Sequence, residues 1–516
     1  MEPKKFFITT PIYYVNAKPH LGHAYATVLA DIFARYARAQ GAKTFFLTGT
    51  ADHGEKIVRV AVASGMGPQA FVDQNVETFK SLYRKLSITN DYFIRNSDQE
   101  HHWPGAVALW NKIKASGDLY KGIYKGLYCI GCESFKTEKD LVEGKCPDHN
   151  TICEEIEEEN YFFRLSKYAD AIKNLLEKNE IEIIPASRKH ELFNFINEGL
   201  QDLSFSRPEG AIPWGIPVPE EDKQMMYVWC EELSNYISAL GYGRSDDENF
   251  KIFWPADMHV VGKDILRFHA ILWPAMLLSA GLPLPKKILA HGMLISGGRK
   301  MSKTIGNVID PDDLVREYGV DAVRYYFARE VSPFDDGDIT VEKFKEAYNA
   351  NLANGLGNLV SRTLKMAEQY FEGKVTGDRE SAMPIRTRIT EVSALGDLAG
   401  LNIPYMIAND ILPRYHAHMA NCEISKATDT VWELVGHLDQ LVADYEPFKL
   451  IKTDKGSTER VIWSLLYGLR EVTEMLVPVM PSTAEKIKTL VGAREEDETL
   501  SFLSVALDEP LFMRKN

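Results

Sequence analysis

Two histidines three residues apart, His20 and His23 in "PHLGHAYATVL", stand where a loop gives way to apolar residues at helical spacing from Leu21 to Gln40. A helix beginning near His20 puts both imidazoles on its first turn, where unsatisfied backbone N–H groups and the helix dipole favour a phosphate. Gly22 removes a side chain between them and lets a phosphate or a flat base approach the backbone closely. The same spacing also serves a capping pair or a metal pair. Far along the chain, "SGGRKMSKT" sets Lys300 and Lys303 around Met301 and Ser302, behind Gly297 and Gly298. Two ammonium groups on a glycine-hinged loop suit the charge that builds on a triphosphate as its α–β bond breaks, although a surface turn has similar composition. A third group, Cys129, Cys132, Cys146 and His149, has the spacing C-x2-C-x13-C-x2-H. Three thiolates and one imidazole make a closed, tetrahedral, structural zinc site with no open position for catalysis. Cys153 is close enough in sequence to compete as a ligand, and the isolated Cys230 and Cys422 read as buried thiols.

The elements that must hold these groups are visible in the periodicity. "FFITT" (6–10) is a short β-prone run, the 21–40 segment is helical up to Gly41, and "KTFFLTGT" (43–50) is a second strand. A strand–helix–strand unit predicts a parallel sheet with ligands at the C-terminal strand ends, so "TTPIYYVN" and "GTADHGEK" should face one crevice. From about 119 to 224 the pattern changes to short strands, turns, cysteines and the acidic run "EEIEEEN", which reads as an insertion. Sheet-like patterning resumes with "MMYVWCEELSNYISALGY" and "KIFWPADMHVVGKDILRFHAILWPAML", and from about 345 helical patterns dominate. "GLGNLV" has two glycines without the third of a dinucleotide fingerprint and no strand before it, so it reads as helix.

The length of 516 residues exceeds what one core serves and implies about two to four domains. No apolar run is long enough to span a bilayer; "AILWPAMLLSAGLPLP" is broken by prolines and reads as buried helix and turn. The N-terminus lacks the pattern of a secretory signal, and six cysteines are too few for a disulfide scaffold, so a cytoplasmic protein without membrane partners is expected. A net charge of −14 offers nucleic acid no global attraction, which argues against DNA and requires a local site for any polyanion.

"HLGH" and "KMSKT" together resemble the HIGH and KMSKS signatures of class I aminoacyl-tRNA synthetases. The flanking "FFITTPIYYVNAKPHLGHAYATVLADIFARY", "TGTADHGEKI", "YVWCEELSNYI", "HVVGKDILRFHAILWPAML" and "HGMLISGGRKMSKT" are similar to the methionyl-tRNA synthetase family, in its bacterial type with a zinc knuckle. The resemblance implies an α/β fold: a Rossmann-type parallel-sheet catalytic domain (1–118 and 225–295) interrupted by a connective module (119–224, knuckle at 129–149). A KMSKS loop and linking fold (296–350) and a helical anticodon-binding domain (351–516) follow. It implies ATP-dependent activation of L-methionine to methionyl-adenylate, with Mg2+, and transfer to the 3'-terminal adenosine of tRNA(Met), without a protein nucleophile. Catalysis is then positioning and charge stabilisation by His20, His23, Lys300 and Lys303. ATP would also meet Gly22, Gly262, Asp264 and Ser302, with Thr304 keeping the hydroxyl of the usual final serine.

Ile12, Tyr14, Trp229, Tyr236, Ile265 and His269 match the family's methionine pocket, where aromatic walls suit an unbranched thioether. Two departures stand out. The family usually reads "TGTDEHG", its first acid meeting the substrate ammonium, whereas this chain has Ala51 and then Asp52. Glu231 and Glu232 stand where the family typically has aspartate and alanine. The expectation is that Asp52 or Glu232 takes over the ammonium. Asn358, Arg362 and Phe448 match the family's anticodon-reading amide, guanidinium and stacking ring, Phe448 replacing a tryptophan and losing its N–H donor. The resemblance also admits a relative with altered amino-acid specificity, or a non-catalytic tRNA-binding paralogue, which intact HLGH and KMSKT argue against.

Overall fold

In the computed structural model, residues 4–147, 150–301, 307–386, 400–496 and 499–515 are described, and they divide into two compact units, Met1–Met293 and Leu294–Asn516. His149 of the knuckle and Ser302, Lys303 and Thr304 of the second signature lie outside the described residues.

The first unit is organised by a six-stranded sheet. Its strands are β1 (Lys5–Tyr14), β2 (Lys43–Ala51), β3 (Tyr92–Arg95), β4 (Glu182–Ile184), β5 (Met258–Gly262) and β6 (Lys287–His291), in the spatial order β3-β2-β1-β5-β6-β4. Every neighbouring pair is parallel. Such a sheet needs helices on its faces, which is why Phe7, Ile8, Leu47, Ile94, Val260, Val261, Ile288 and Leu289 are all buried. α1 (Leu21–Ala39) packs on β1, β2 and β5, burying Leu21, Ala24, Tyr25, Val28, Leu29 and Ile32. The strand order reverses between β1 and β5, so their C-terminal ends open a crevice at a topological switch point.

β1 runs beyond the apolar run that announces it, through Pro11 to Tyr14. The proline has no N–H for the ladder, and the register with β2 shifts between Thr9 and Ile12 to accommodate it. The far end of the strand is thereby realigned, and Tyr14 pairs with Ala51 at the sheet's C-terminal edge.

The acidic run of the insertion is itself a strand, Glu154–Phe163, antiparallel to Leu119–Cys129 in a separate four-stranded sheet. Its glutamates are mostly exposed, while Asn160 and Phe163 are buried. Within the stretch read as inserted, residues 182–184 rejoin the main sheet as β4, with Ile183 opposite Ile288.

The second unit opens with a small sheet of Leu294–Ser296, Arg299–Lys300 and Gly337–Asp338. Gly297 and Gly298 make its tight turn, both in the left-handed region that favours glycine. The rest is mainly helical, including α3 (Asn358–Phe371), α4 (Ile424–Tyr445), α5 (Pro447–Leu450) and α6 (Lys455–Leu476). The "GLGNLV" segment is helical throughout. One difference from the helical expectation is a three-stranded antiparallel sheet built from Lys374–Gly377, Ala493–Glu496 and Thr499–Leu503.

Candidate active site

His20 is the N-cap of α1, and its Nδ1 accepts from the backbone N–H of Gly22 at 3.1 Å. His23 reciprocates, its Nδ1 accepting from the N–H of His20 at 3.1 Å. This is the logic of a capping box, carried by two imidazoles. Because a backbone N–H can only donate, both Nδ1 atoms are unprotonated and each ring presents an Nε2–H donor. The rings stack at 3.8 Å, which neutral imidazoles tolerate. Burial, and then His20, hold the His23 imidazolium well below its ordinary pKa, so no charge repulsion splits the pair. A side chain at Gly22 would press on the His20 ring at 3.0 Å. The capping and anion-binding readings are therefore compatible: one face of each ring closes the helix while the other nitrogen donates.

At the end of β5, across the switch point, a Cβ at Gly262 would lie 2.4 Å from Asp264 Oδ1, so this carboxylate needs glycine beside it. Asp264 is exposed. Buried His291 at the end of β6 donates through Nδ1 to the Gly292 carbonyl at 2.8 Å; the carbonyl can only accept, so Nδ1 carries the proton.

The pocket set meets on β1, the helix Val228–Ser238 and the turn after β5. Ile12, Trp229, Tyr236 and His269 are buried, and Tyr14 and Ile265 are half-buried. His269 Nδ1 donates to the Ile265 carbonyl at 3.0 Å, which leaves Nε2 to accept from the Tyr236 hydroxyl at 2.7 Å. Burial lowers the His269 pKa to about 4, fixing the neutral ring this chain of bonds requires. Trp229 stacks on Phe268 at 3.6 Å, almost parallel.

The acids differ in what they already hold. Asp52 Oδ2 accepts from Arg95 Nε at 2.7 Å and from Ser97 Oγ at 2.5 Å. Glu231 receives His53 Nδ1, 3.0 Å from each carboxylate oxygen, and Asn96 Nδ2 at 3.3 Å. Glu232 is 2 % exposed and, among the described residues, its Oε2 has no hydrogen-bond partner. Tyr14 Oη, Asp52 Oδ1 and Trp229 Nε1 are likewise buried without partners. Each such orphan costs about 1–3 kcal/mol in a dry setting, so a polar ligand that pairs with them recovers that loss.

The knuckle reaches this site through a residue that carries no motif. Glu133, next to Cys132 and in the left-handed region, is 1 % exposed. Its Oε1 accepts from the backbone N–H of Lys56 at 2.6 Å, capping α2 (Glu55–Ala63), whose own N-cap Gly54 offers no side chain. Tyr128 donates to the same carboxylate, and Tyr227 to the Glu133 carbonyl. Burial raises the Glu133 pKa. The Glu133→Ala variant is expected to lose about 1–2 kcal/mol in urea unfolding and to raise the methionine KM several-fold, because the loop 52–54 loses its anchor. An unchanged KM in a variant with lowered stability would remove the second half of this expectation. The carboxylate of Glu133 is absent from any spacing rule; only its position beside Cys132 hinted at it.

Cys129, Cys132 and Cys146 offer sulfur atoms all within 4.8 Å of one another, and Cys129 and Cys146 are buried together with Cys153. Thiolates at about 2.3 Å from a zinc ion span such distances, so the three residues fit the metal.

In the second unit, Asn358 and Arg362 are exposed one turn apart on α3, and Phe448 is 48 % exposed on α5. Arg362 pairs with Asp439 at 2.6 Å. Lys300 lies on the strand opposite Ile295.

Two imidazoles cap a helix at the switch point of a parallel sheet, in the unit that also holds the aromatic pocket and its orphan polar atoms, an arrangement that fits a nucleotide-dependent catalytic domain. A family model described as tRNA synthetases class I (M) matches residues 6–156 and 149–364. The methionine–tRNA ligase of Caldanaerobacter subterraneus is 43 % identical over 506 residues, covering 98 % of this chain and 76 % of that protein. That of Clostridium acetobutylicum is 44 % identical, over 95 % of this chain and 73 % of the relative. The solved Mycobacterium tuberculosis methionyl-tRNA synthetase in complex with methionyl-adenylate superimposes with a TM-score of 0.89 at 35 % identity, covering 99 % of this chain and all of that one. The chain belongs to the methionyl-tRNA synthetase family.

Proposed function

We propose that this chain carries out the methionine–tRNA ligase reaction with the residues assembled above. Methionine is activated by ATP, its carboxylate attacking the α-phosphate as pyrophosphate leaves, and the methionyl group passes to the terminal ribose of tRNA as AMP departs. The observation that carries this reading is the pair of imidazoles at the head of α1, in the connection that leaves β1 at the switch point, each closing the helix through Nδ1 and so carrying its proton on Nε2. Preorganised donors act on charge that grows in the transition state, and each is worth about 100- to 1000-fold.

In this reading His20 and His23 donate to phosphate oxygens, with Gly22 leaving the approach open. Asp264, with Gly262 beside it, accepts from the adenosine hydroxyls. Lys300, Ser302 and Lys303 meet the departing pyrophosphate, and Mg2+ enters with ATP as its complex. Ile12, Tyr14, Trp229, Tyr236, Ile265 and His269 hold methionine, with Asp52 and Glu232 in the wall. Cys129, Cys132 and Cys146, with His149, hold one Zn2+, which cross-links the knuckle and leaves the chemistry to other residues. Asn358, Arg362 and Phe448 read the anticodon; tRNA must then compete with Asp439 for the Arg362 guanidinium. The helical stretch from 351 onward acts as the anticodon-binding domain, and acidic residues outnumber basic ones there, so base contacts must supplement phosphate attraction.

Among the described residues no helix is long and apolar enough to cross a membrane. A cytoplasmic location suits six cysteines that form no disulfide among the described residues.

The test is pyrophosphate exchange into ATP, run with each of the twenty amino acids, followed by charging of tRNA(Met). Methionine alone is expected to drive exchange. Exchange driven by another amino acid would favour altered specificity, and no exchange with intact tRNA binding would leave a binding protein.

A further inference from the structure

We propose that the Glu232 carboxylate receives the α-ammonium group of the amino-acid substrate, since the last residue of β2 in this chain is Ala51, which has no charge to offer. The inference rests on the methionine-activation reading and sharpens it. An amino acid brings a cation into a buried pocket, and a buried cation needs an anionic partner. Ala51, at the end of β2 and opposite Tyr14, offers none. Asp52 is already committed, one oxygen being taken by Arg95 and Ser97, with the Arg95 guanidinium balancing its charge. Glu231 is held by His53 and Asn96. Glu232 is the acid of this set that has neither a cation nor, at Oε2, a hydrogen-bond donor among the described residues.

Its surroundings point into the pocket. The Glu232 charge bears on the Tyr14 phenol of β1 and on the Tyr236 phenol one turn along its own helix, two residues of the aromatic wall. Glu231 adjoins it on the same helix, and His269 lies behind Tyr236. Burial first, and then Glu231, push the Glu232 carboxyl well above its ordinary range, which favours the neutral acid until a cation pairs with it. An arriving ammonium reverses that preference. The acid ionises, its proton leaves to solvent, and the carboxylate pairs with the cation. Methionine binding is therefore expected to release protons and to tighten as pH rises toward the range where free Glu232 ionises.

The experiment is calorimetric titration of the full chain with L-methionine and with its des-amino analogue, 4-(methylthio)butanoate, in two buffers of different ionisation enthalpy. The wild type, Glu232→Gln, Glu232→Asp and Asp52→Asn are compared. Across a pH series, wild type is expected to release protons, up to about one per methionine, at pH values below the ionisation of free Glu232. Glu232→Gln should abolish that release and weaken methionine by about 30-fold or more, while leaving the des-amino analogue within about threefold. Glu232→Asp, which keeps the charge, should restore part of the affinity and the release, and it guards against a Gln variant that fails to fold. Asp52→Asn should keep the proton release and weaken both ligands alike, through the Arg95 contact. The proposal is overturned if Glu232→Gln binds methionine as tightly as wild type, or if it weakens both ligands equally, which would make Glu232 only a pocket wall. It is also overturned if Asp52→Asn alone removes the proton release. A wild-type chain that binds another amino acid and not methionine would instead overturn the underlying reading.

Discussion

Replacing His23 with alanine is expected to slow methionine-dependent pyrophosphate exchange by about 100- to 1000-fold while leaving the equilibrium Kd for methionine nearly unchanged. The reasoning starts from the ring's two jobs. Nδ1 accepts from the His20 N–H and closes the helix, and Nε2–H is left to donate. Alanine removes both. Losing the cap costs about 0.5–2 kcal/mol of stability, visible as a modest drop in the thermal midpoint. Losing the donor acts on charge that grows only as the α–β bond breaks, so it falls on kcat. His23→Asn separates the two, because an amide oxygen can accept from the His20 N–H while its NH2 donates from a different position. It should recover most of the stability and little of the rate. A His23→Ala enzyme within threefold of wild-type exchange would show that the imidazole serves only the cap.

The Arg207→Met variant should be less stable by about 3–5 kcal/mol in urea unfolding. Arg207 is a guanidinium at 2 % exposure, held by Glu55 at 2.7 Å and by Glu158 at 2.6 Å, and stacked on Tyr128 at 4.1 Å. Methionine keeps much of the volume and the apolar stem, so packing loss is small. What remains is uncompensated negative charge: Glu158 loses its buried partner, Glu55 keeps Arg59 alone among the described residues, and Glu133, reached through Tyr128, loses a cation that favours its ionised form. A second substitution, Glu158→Gln, removes one of the stranded charges and should return part of the loss. A double-mutant cycle measures that coupling, and a cycle that closes near zero would mean the three acids are relieved by solvent.

What could be read from the sequence was local. α1 was legible because its apolar residues keep the helical period from Leu21 onward, and the parallel sheet because strand-like runs at 6–10 and 43–50 bracket it. The switch point follows from those runs once β5 is placed beside β1. The lower part of β1 was obscured by Pro11, which a strand tolerates here only because the register slips around it. The pairs that tie distant segments were invisible. Lys56 meets Glu133 across 77 residues, and Arg207 meets Glu55 across 152; neither acid nor base sits in a recognisable spacing. Glu232 was conspicuous for the opposite reason, as a charge written into an apolar helix, but its lack of a partner could be learned only from its neighbours.

β4 has one more bearing. Its three residues, Glu182 to Ile184, cover the flank of Lys287–His291, where Ile288 and Leu289 would otherwise present unpaired amides along the strand's apolar centre. Bare flanks of that kind recruit other chains. The stretch from 119 to 224 is thus a selvedge: cutting it out cleanly would unhem the six-stranded sheet and leave a surface prone to intermolecular pairing.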